Sequence, residues 1–191
     1  MEKTKIGANT FLYPMPTILV GATVNGKPNY VTIAYCGIAQ HVPPMVFVTM
    51  GKTHYTNAGI KEHGTFSVNI PSEDMVEITD YVGIYSGRRV DKSTLFETFY
   101  GVLETAPMIA ECPINLECRL VQTPDVGGSN DIFIGQIVET YTEQKYLTEG
   151  VPDIQKIRPI IFGMHSNSYW KLGDSLGRAW NIGKSFEPKQ K

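Results

Sequence analysis

The sequence lacks any long apolar run: its hydrophobic stretches fall far short of the ~18 residues at which a membrane-spanning helix is considered. The opening MEKTKIGANTF carries no apolar core of an export signal. Neither membrane insertion nor export is expected, and the cytoplasm is the expected compartment. Charge of one sign is equally scarce. Seventeen Lys and Arg stand against 19 Asp and Glu, for a formal net charge of −2, and no block of like charge gives a nucleic-acid or anionic-membrane partner electrostatic support. Only three cysteines occur, Cys36, Cys112 and Cys118. An odd number with no C-x-x-C argues against a disulfide framework and against a cysteine zinc site, so free and mostly buried thiols are expected. No G-x-G-x-x-G follows a strand-like run, which excludes a dedicated Rossmann site for a nicotinamide dinucleotide. Repeats, low-complexity tracts and linkers are missing as well.

What is present is 191 residues of ordinary globular composition, 42% hydrophobic and 19% charged, enough for one domain with a sizeable core. TILVGATV (17–24), the turn signal NGKPN (25–29) and YVTIAYCGIA (30–39) read as a β-hairpin. Further strands are expected over 45–50, 65–70, 114–123, 131–142 and 159–162. Two helices are expected, one over 56–63 and one over 72–85, the latter opening on a Ser cap with acids in its first turn. Strands outnumber helices, short Gly/Asn turns link them and no βαβ alternation is visible. The pattern therefore predicts a mainly β protein, a closed or nearly closed antiparallel barrel with peripheral helices. The final EPKQK (187–191) has little to bury and is expected to fray.

Between the strand ending at Met50 and the helix beginning near Thr56 lies GKTHYTNAG (51–59). A strand-to-helix turn presents free amides, and with the hydroxyls of Thr53 and Thr56 and the cation of Lys52 it would suit a phosphate. The alternative is a self-satisfied cap with Lys52 in water. A Walker A loop is excluded, because position 46, where its first glycine would stand, is Val. Asn29, Thr32 and Tyr35 interrupt an otherwise apolar strand, as exposed positions or as a ligand-facing row. A basic loop, IYSGRRVDKS (84–93), places Arg88, Arg89 and Lys92 where they are solvated or close over an anion.

GDSLG (173–177) fits G-x-S-x-G, but an α/β-hydrolase needs its Asp and His after the nucleophile, and the last histidine is His165. Gly173 and Gly177 read instead as turn residues of a C-terminal segment packed on the barrel. His41, His54, His63 and His165 match no metal-ligand spacing. Tyr169, Trp170 and Trp180 are expected in core or subunit packing, with the lining of a substrate site as the sharper reading.

At PMPTILVGATVNGKPNYVTIAY, KTHYTNAGI, FSVNIPSEDMVEITDYVGIYSGRRVDK, APMIAECPINLECRL, FIGQIVE and YWKLGDSLGRAW the sequence resembles the flavin reductase-like proteins with an FMN-binding split barrel, nearest their flavoredoxin-type branch. The resemblance implies FMN as cofactor. It places Lys52, Thr53, His54, Tyr55 and Thr56 at the phosphate and ribityl chain. It runs Asn29, Tyr30, Val31, Thr32, Ala34 and Tyr35 along the isoalloxazine ring, largely through their backbone. Ser86 and Lys92 reach the flavin from the loop after the second helix, and Lys92 or the 29–35 amides would stabilise the reduced ring. GGSND (127–131) departs from the aromatic or histidine often found near the ring, and leaves open which residue of that turn faces the flavin. Flavin supplies the redox chemistry, so no catalytic side chain is nominated. The resemblance further implies a homodimer and electron transfer from NAD(P)H or a ferredoxin-like donor. The alternative is a non-catalytic FMN- or haem-binding split-barrel protein.

Overall fold

A computed structural model describes residues 1–188. The last three residues of the polar tail expected to fray, 189–191, lie outside the described residues. In chain order the strands are β1 (Met15–Pro16), β2 (Ile18–Val24), β3 (Lys27–Ile33), β4 (Cys36–Gln40), β5 (Met45–Gly51), β6 (Thr65–Ile70), β7 (Thr98–Phe99), β8 (Met108–Ile109), β9 (Ile114–Gln122), β10 (Asn130–Thr142), β11 (Leu147–Thr148), β12 (Val151–Pro152), β13 (Ile161–Gly163) and β14 (Ser168–Trp170). The helices are α1 (Thr56–His63), α2 (Val76–Ile84) and α3 (Ile154–Ile157). Seven strands form one curled antiparallel sheet in the order β3-β2-β6-β9-β10-β5-β4, a split barrel.

Period-2 alternation sorts side chains to the two faces of this sheet. Ile18, Val20 and Ala22 of β2 point into the barrel with Val31, Val48, Met50, Phe66 and Phe133. Leu19 points outward, where Tyr30, Val82, Phe96, Ile109 and Cys112 form a second core beneath α2 and the 95–112 segment. Helix α1 covers β2 so closely that a Cβ on Gly59 would stand 2.2 Å from the Thr23 carbonyl oxygen. Asn25 (φ 51°) and Gly26 (φ 73°) make the expected tight turn, with β3 starting directly after it at Lys27.

The expected continuous strand over 30–39 is two strands. Cys36 N donates to Ala34 O at 3.1 Å and Thr49 N to Tyr35 O at 2.8 Å, so the chain bends at Ala34–Tyr35 and crosses to the far edge. Strands β3 and β4, consecutive in sequence, therefore become the two opposite edges of the sheet. Nor does the second helix open on a Ser cap. Ser72 makes no side-chain cap bond, a 3₁₀ turn over Glu73–Met75 intervenes and the α-helix begins at Val76; the Glu73 amide is taken by the Arg158 carbonyl at 2.8 Å instead. The C-terminal segment also differs from expectation: beyond Ser175 it joins no strand and leaves Leu176, Trp180 and Phe186 in solvent.

Candidate functional site

Where the sheet curls without closing, the bend at Ala34–Tyr35 and the end of β5 face helix α2 and the β13–β14 hairpin across a cavity of about 520 Å³. Thr32, Ile33, Ala34 and Tyr35 form one wall, Gly83 and Ile84 of α2 another, and Phe162, Met164 and Tyr169 the outer side; Asn130 stands at the start of β10. Thr32 is fixed by donating its hydroxyl to the Thr79 carbonyl. Two buried polar atoms of the wall, Thr17 Oγ1 and His54 Nδ1, have no hydrogen-bond partner among the described residues. Buried polar atoms are nearly always paired, and these two belong to residues that border the cavity. Tyr169 donates to Asp80 at 2.8 Å, and burial first, then that carboxylate, pushes its phenol up to about 12.

His54, Gly83 and Ile84 also border a second lobe of about 280 Å³, lined further by Asn29, Val31, Thr53, Tyr55, Thr56, Ser86, Gly87 and Lys92. This lobe is polar and sits at the N-terminus of α1. Tyr55 at the cap makes no side-chain capping bond, and the amides of Tyr55 and Thr56 donate to nothing within the described residues. Free amides at a helix start attract anions. Lys92 is 3% exposed. Its ammonium donates to the carbonyls of Tyr30 at 2.9 Å and Val82 at 2.8 Å, which leaves a third N–H unused. Burial holds its pKa down at about 8. Burial first, then the nearby Lys92 charge, lowers the His54 pKa.

Of the residues singled out in the sequence, Thr32, Ala34 and Tyr35 line the larger cavity, and Asn29, Val31, Thr53, Tyr55, Thr56, Ser86 and Lys92 the polar lobe; His54 joins both. Two stand apart. Tyr30 has its side chain in the second core, its hydroxyl paired with Thr98 at 2.7 Å, and contributes a carbonyl to Lys92. Lys52 borders neither cavity; its amide donates to Ser129 O at 3.0 Å. The residue of the 127–131 turn that faces the larger cavity is Asn130. Thr17, Thr49, Asp80, Phe162 and Met164 also line the larger cavity; nothing in the local sequence singles them out, and each reaches the site through the fold. The three cysteines are free thiols, with Cys112 and Cys118 buried. Among the described residues no helix is long and apolar enough to cross a membrane.

A family model described as "Flavin reductase like domain" matches residues 10–155. The chain is similar to the solved flavoredoxin from Methanosarcina acetivorans, at 50% identity over 97% of this chain and 99% of that one, with a TM-score of 0.94. It is similar also to the flavoredoxin of Desulfovibrio vulgaris (Miyazaki F), at 34% identity over 95% and 100% of the two chains with a TM-score of 0.87. An uncharacterized protein of Archaeoglobus fulgidus is 32% identical, covering 98% of this chain and 100% of its own length.

Proposed function

The chain belongs to the flavin reductase-like family, and from that premise we propose that it is an FMN-dependent oxidoreductase of the flavoredoxin kind, taking electrons from NAD(P)H or from a small ferredoxin-like protein in the cytoplasm. The observation that carries this reading is the contiguity of two unlike lobes. A cavity with largely apolar walls and two orphaned polar atoms, on Thr17 and His54, opens past His54, Gly83 and Ile84 into a lobe with a buried cation and unpaired amides. An elongated molecule with a flat, polar-edged ring at one end and a phosphate at the other fits that pair, and FMN is such a molecule.

FMN, when bound, supplies the electron-transfer chemistry. The chain's own residues bind and orient it. The Tyr55 and Thr56 amides, the Thr56 hydroxyl and the third N–H of Lys92 hold the phosphate. Thr32, Ala34 and Tyr35 border the ring, and Phe162 and Tyr169 limit access to its outer face. Lys92 belongs on this reading to the phosphate end, since it borders the polar lobe and not the larger cavity.

A homodimer completes the proposal. The accessible surface of the chain is 12,361 Å² at a mass of 21.3 kDa, whereas a compact monomer of that mass exposes about 9,100 Å². The single chain exposes Leu12, Ile38, Leu176, Trp180 and Phe186, apolar surface of the kind a second copy covers.

The test is the absorbance spectrum of the purified protein with mass spectrometry of the released cofactor, followed by anaerobic reduction with NADH, NADPH or reduced ferredoxin in separate cuvettes. A yellow protein releasing FMN and bleached by one of these donors is expected. A protein that is colourless and refuses added FMN overturns the reading, and one that holds FMN yet is bleached by no donor is a binding protein instead.

A further inference from the structure

Asp80 lies one helical turn before Gly83 and Ile84 on α2, at the spacings that place all three on one face of the helix, and all three border the larger cavity. No lysine or arginine lines that cavity; Asp80 is its one carboxylate and His54 its one imidazole. Asp80 has no cation within ion-pair distance among the described residues.

Tyr169 fixes the carboxylate from the opposite wall. Strand β14 pairs with β13 so that Tyr169 lies across from Phe162, with the two ring centroids 5.8 Å apart. From there its hydroxyl reaches over to Asp80 and donates to Oδ1 at 2.8 Å. Oδ2 takes no hydrogen bond from any described residue. A carboxylate has about four acceptor positions, so this one keeps most of its capacity and all of its charge. The outer side of the cavity therefore carries one negative charge that no side chain balances, among the rings of Tyr35, Phe162 and Tyr169.

We propose that Asp80 is a specificity-determining residue: it makes the outer side of the larger cavity select a flat organic cation over a neutral or anionic aromatic molecule of the same shape, a proposal that rests on the flavin reading of that cavity. A cation with an aromatic body gains the ring faces and the carboxylate together. A neutral ring gains only the faces, and an anion is repelled. Tyr169 is a positioning residue here, since it orients the carboxylate and brings no charge of its own.

The test presents one ring in three charge states. FMN-loaded protein at neutral pH is titrated with 1-methylquinolinium, a cation, with neutral quinoline and with quinoline-3-carboxylate, an anion. Binding is followed through the visible absorbance of the flavin, which responds to a ligand beside its ring. The cation is expected to bind about tenfold more tightly than quinoline, and the carboxylate most weakly. Asp80→Asn keeps the shape and removes the charge, so it should abolish the tenfold preference, and it separates the effect of Asp80 from that of the phosphate of FMN. Asp80→Ser serves the same purpose should Asp80→Asn not fold. Tyr169→Phe leaves the charge in place and should keep a preference of about threefold or more. If the three probes bind alike, if none binds, or if the preference survives the loss of the Asp80 charge, the proposal falls. Wild-type protein that takes up no FMN at all overturns the flavin reading, and this proposal with it, and is a distinct result.

Discussion

Asn29 Nδ2 donates to Thr56 Oγ1 at 2.8 Å in a buried bond between residues 27 positions apart. It ties edge strand β3 to the first turn of α1, and it leaves the Thr56 proton free to point into the polar lobe. Thr56→Ala therefore strands the Asn29 amide and removes a phosphate donor together. We expect a stability loss of about 1–3 kcal/mol, the cost of an unpaired buried donor, seen as a lower midpoint in urea. FMN affinity should fall about tenfold, a 1.4 kcal/mol loss, equally for oxidised and reduced flavin, so that the midpoint potential stays put. Thr56→Ser, which keeps the hydroxyl, should restore both.

Lys92 gives a pH test. Its pKa in the folded, flavin-free protein is about 8, below the ordinary lysine value of 10.5. The folded state therefore sheds this proton before the unfolded state does. The penalty of burying the charge is present below pH 8 and is relieved as pH rises from 8 toward 10.5, so the flavin-free protein should gain stability over that window. FMN affinity should move the opposite way and weaken above pH 8, where the phosphate loses its cation, and Lys92→Met should flatten both profiles. Dissociation constants in both redox states locate the ammonium: equal losses place it at the phosphate, as proposed, and a larger loss for reduced flavin would return it to the ring.

The contrast between local signal and placement made by the fold separates what was legible in the sequence from what was not. Runs such as ILVGATV and TNAGIKEH carry their period and their turn signals locally, so β2 could be read to within one residue and α1 with its bounds. The bend at Ala34–Tyr35 has no glycine or proline of its own to announce it and is held by the Thr49 amide of β5, a contact distant in sequence, so the split of 30–39 was invisible. Polar residues in apolar surroundings exposed Asn29, Thr32 and Thr56. Which way each side chain points is a property of the curled sheet, and it separated Tyr30 and Lys52 from the other candidates. Phe162 and Met164 carry no local signal and enter the site only because β13 pairs with β1 and β14.

Gly59→Ala inverts a general rule. In a helix interior this change usually stabilises by about 0.5–1 kcal/mol. Here the added Cβ would meet the Thr23 carbonyl oxygen at 2.2 Å, a backbone atom of β2 that cannot swing aside, so α1 must lift from the sheet. We expect a net loss of about 1–3 kcal/mol, as for overpacked cores, and weaker FMN binding as the Tyr55 and Thr56 amides move with the helix. Thermal unfolding of the apo form and fluorescence titration check the two parts.

Glu117 is fully buried, yet its carboxylate accepts the amides of Val102 at 3.1 Å and Leu103 at 2.6 Å and the Tyr141 hydroxyl at 3.1 Å. It ties the 99–106 loop to strands β9 and β10 on the outer face, away from both cavities. Glu117→Ala orphans three donors at once and should cost more than about 3 kcal/mol. Glu117→Gln keeps an acceptor and should cost less. Because the site is remote, Glu117→Gln protein that remains folded should bind FMN like the wild type; an altered affinity would show that the loop is coupled to the site.

The last prediction concerns the chain end. Leu176, Trp180 and Phe186 are 93%, 95% and 75% exposed, in a segment that pairs with no strand. A lone apolar residue in water is unremarkable, but three on one short segment without a core of their own leave an apolar surface that is usually covered. If a second copy covers them, light scattering at micromolar concentration should give about twice the chain mass, and the tryptophan emission maximum should lie to the blue of the solvent value although Trp170 and Trp180 are exposed in the single chain. Leu176→Asp/Trp180→Asp places two carboxylates in that contact, and their desolvation should cost several kcal/mol per dimer, enough to shift the protein to the monomer. The sheet and the cavity walls are untouched by these positions, so the monomeric variant should keep its circular dichroism. Should it remain a dimer of wild-type affinity, the arm is not the contact, and exposed Leu12, Ile38 and Val42 are the next surface to test.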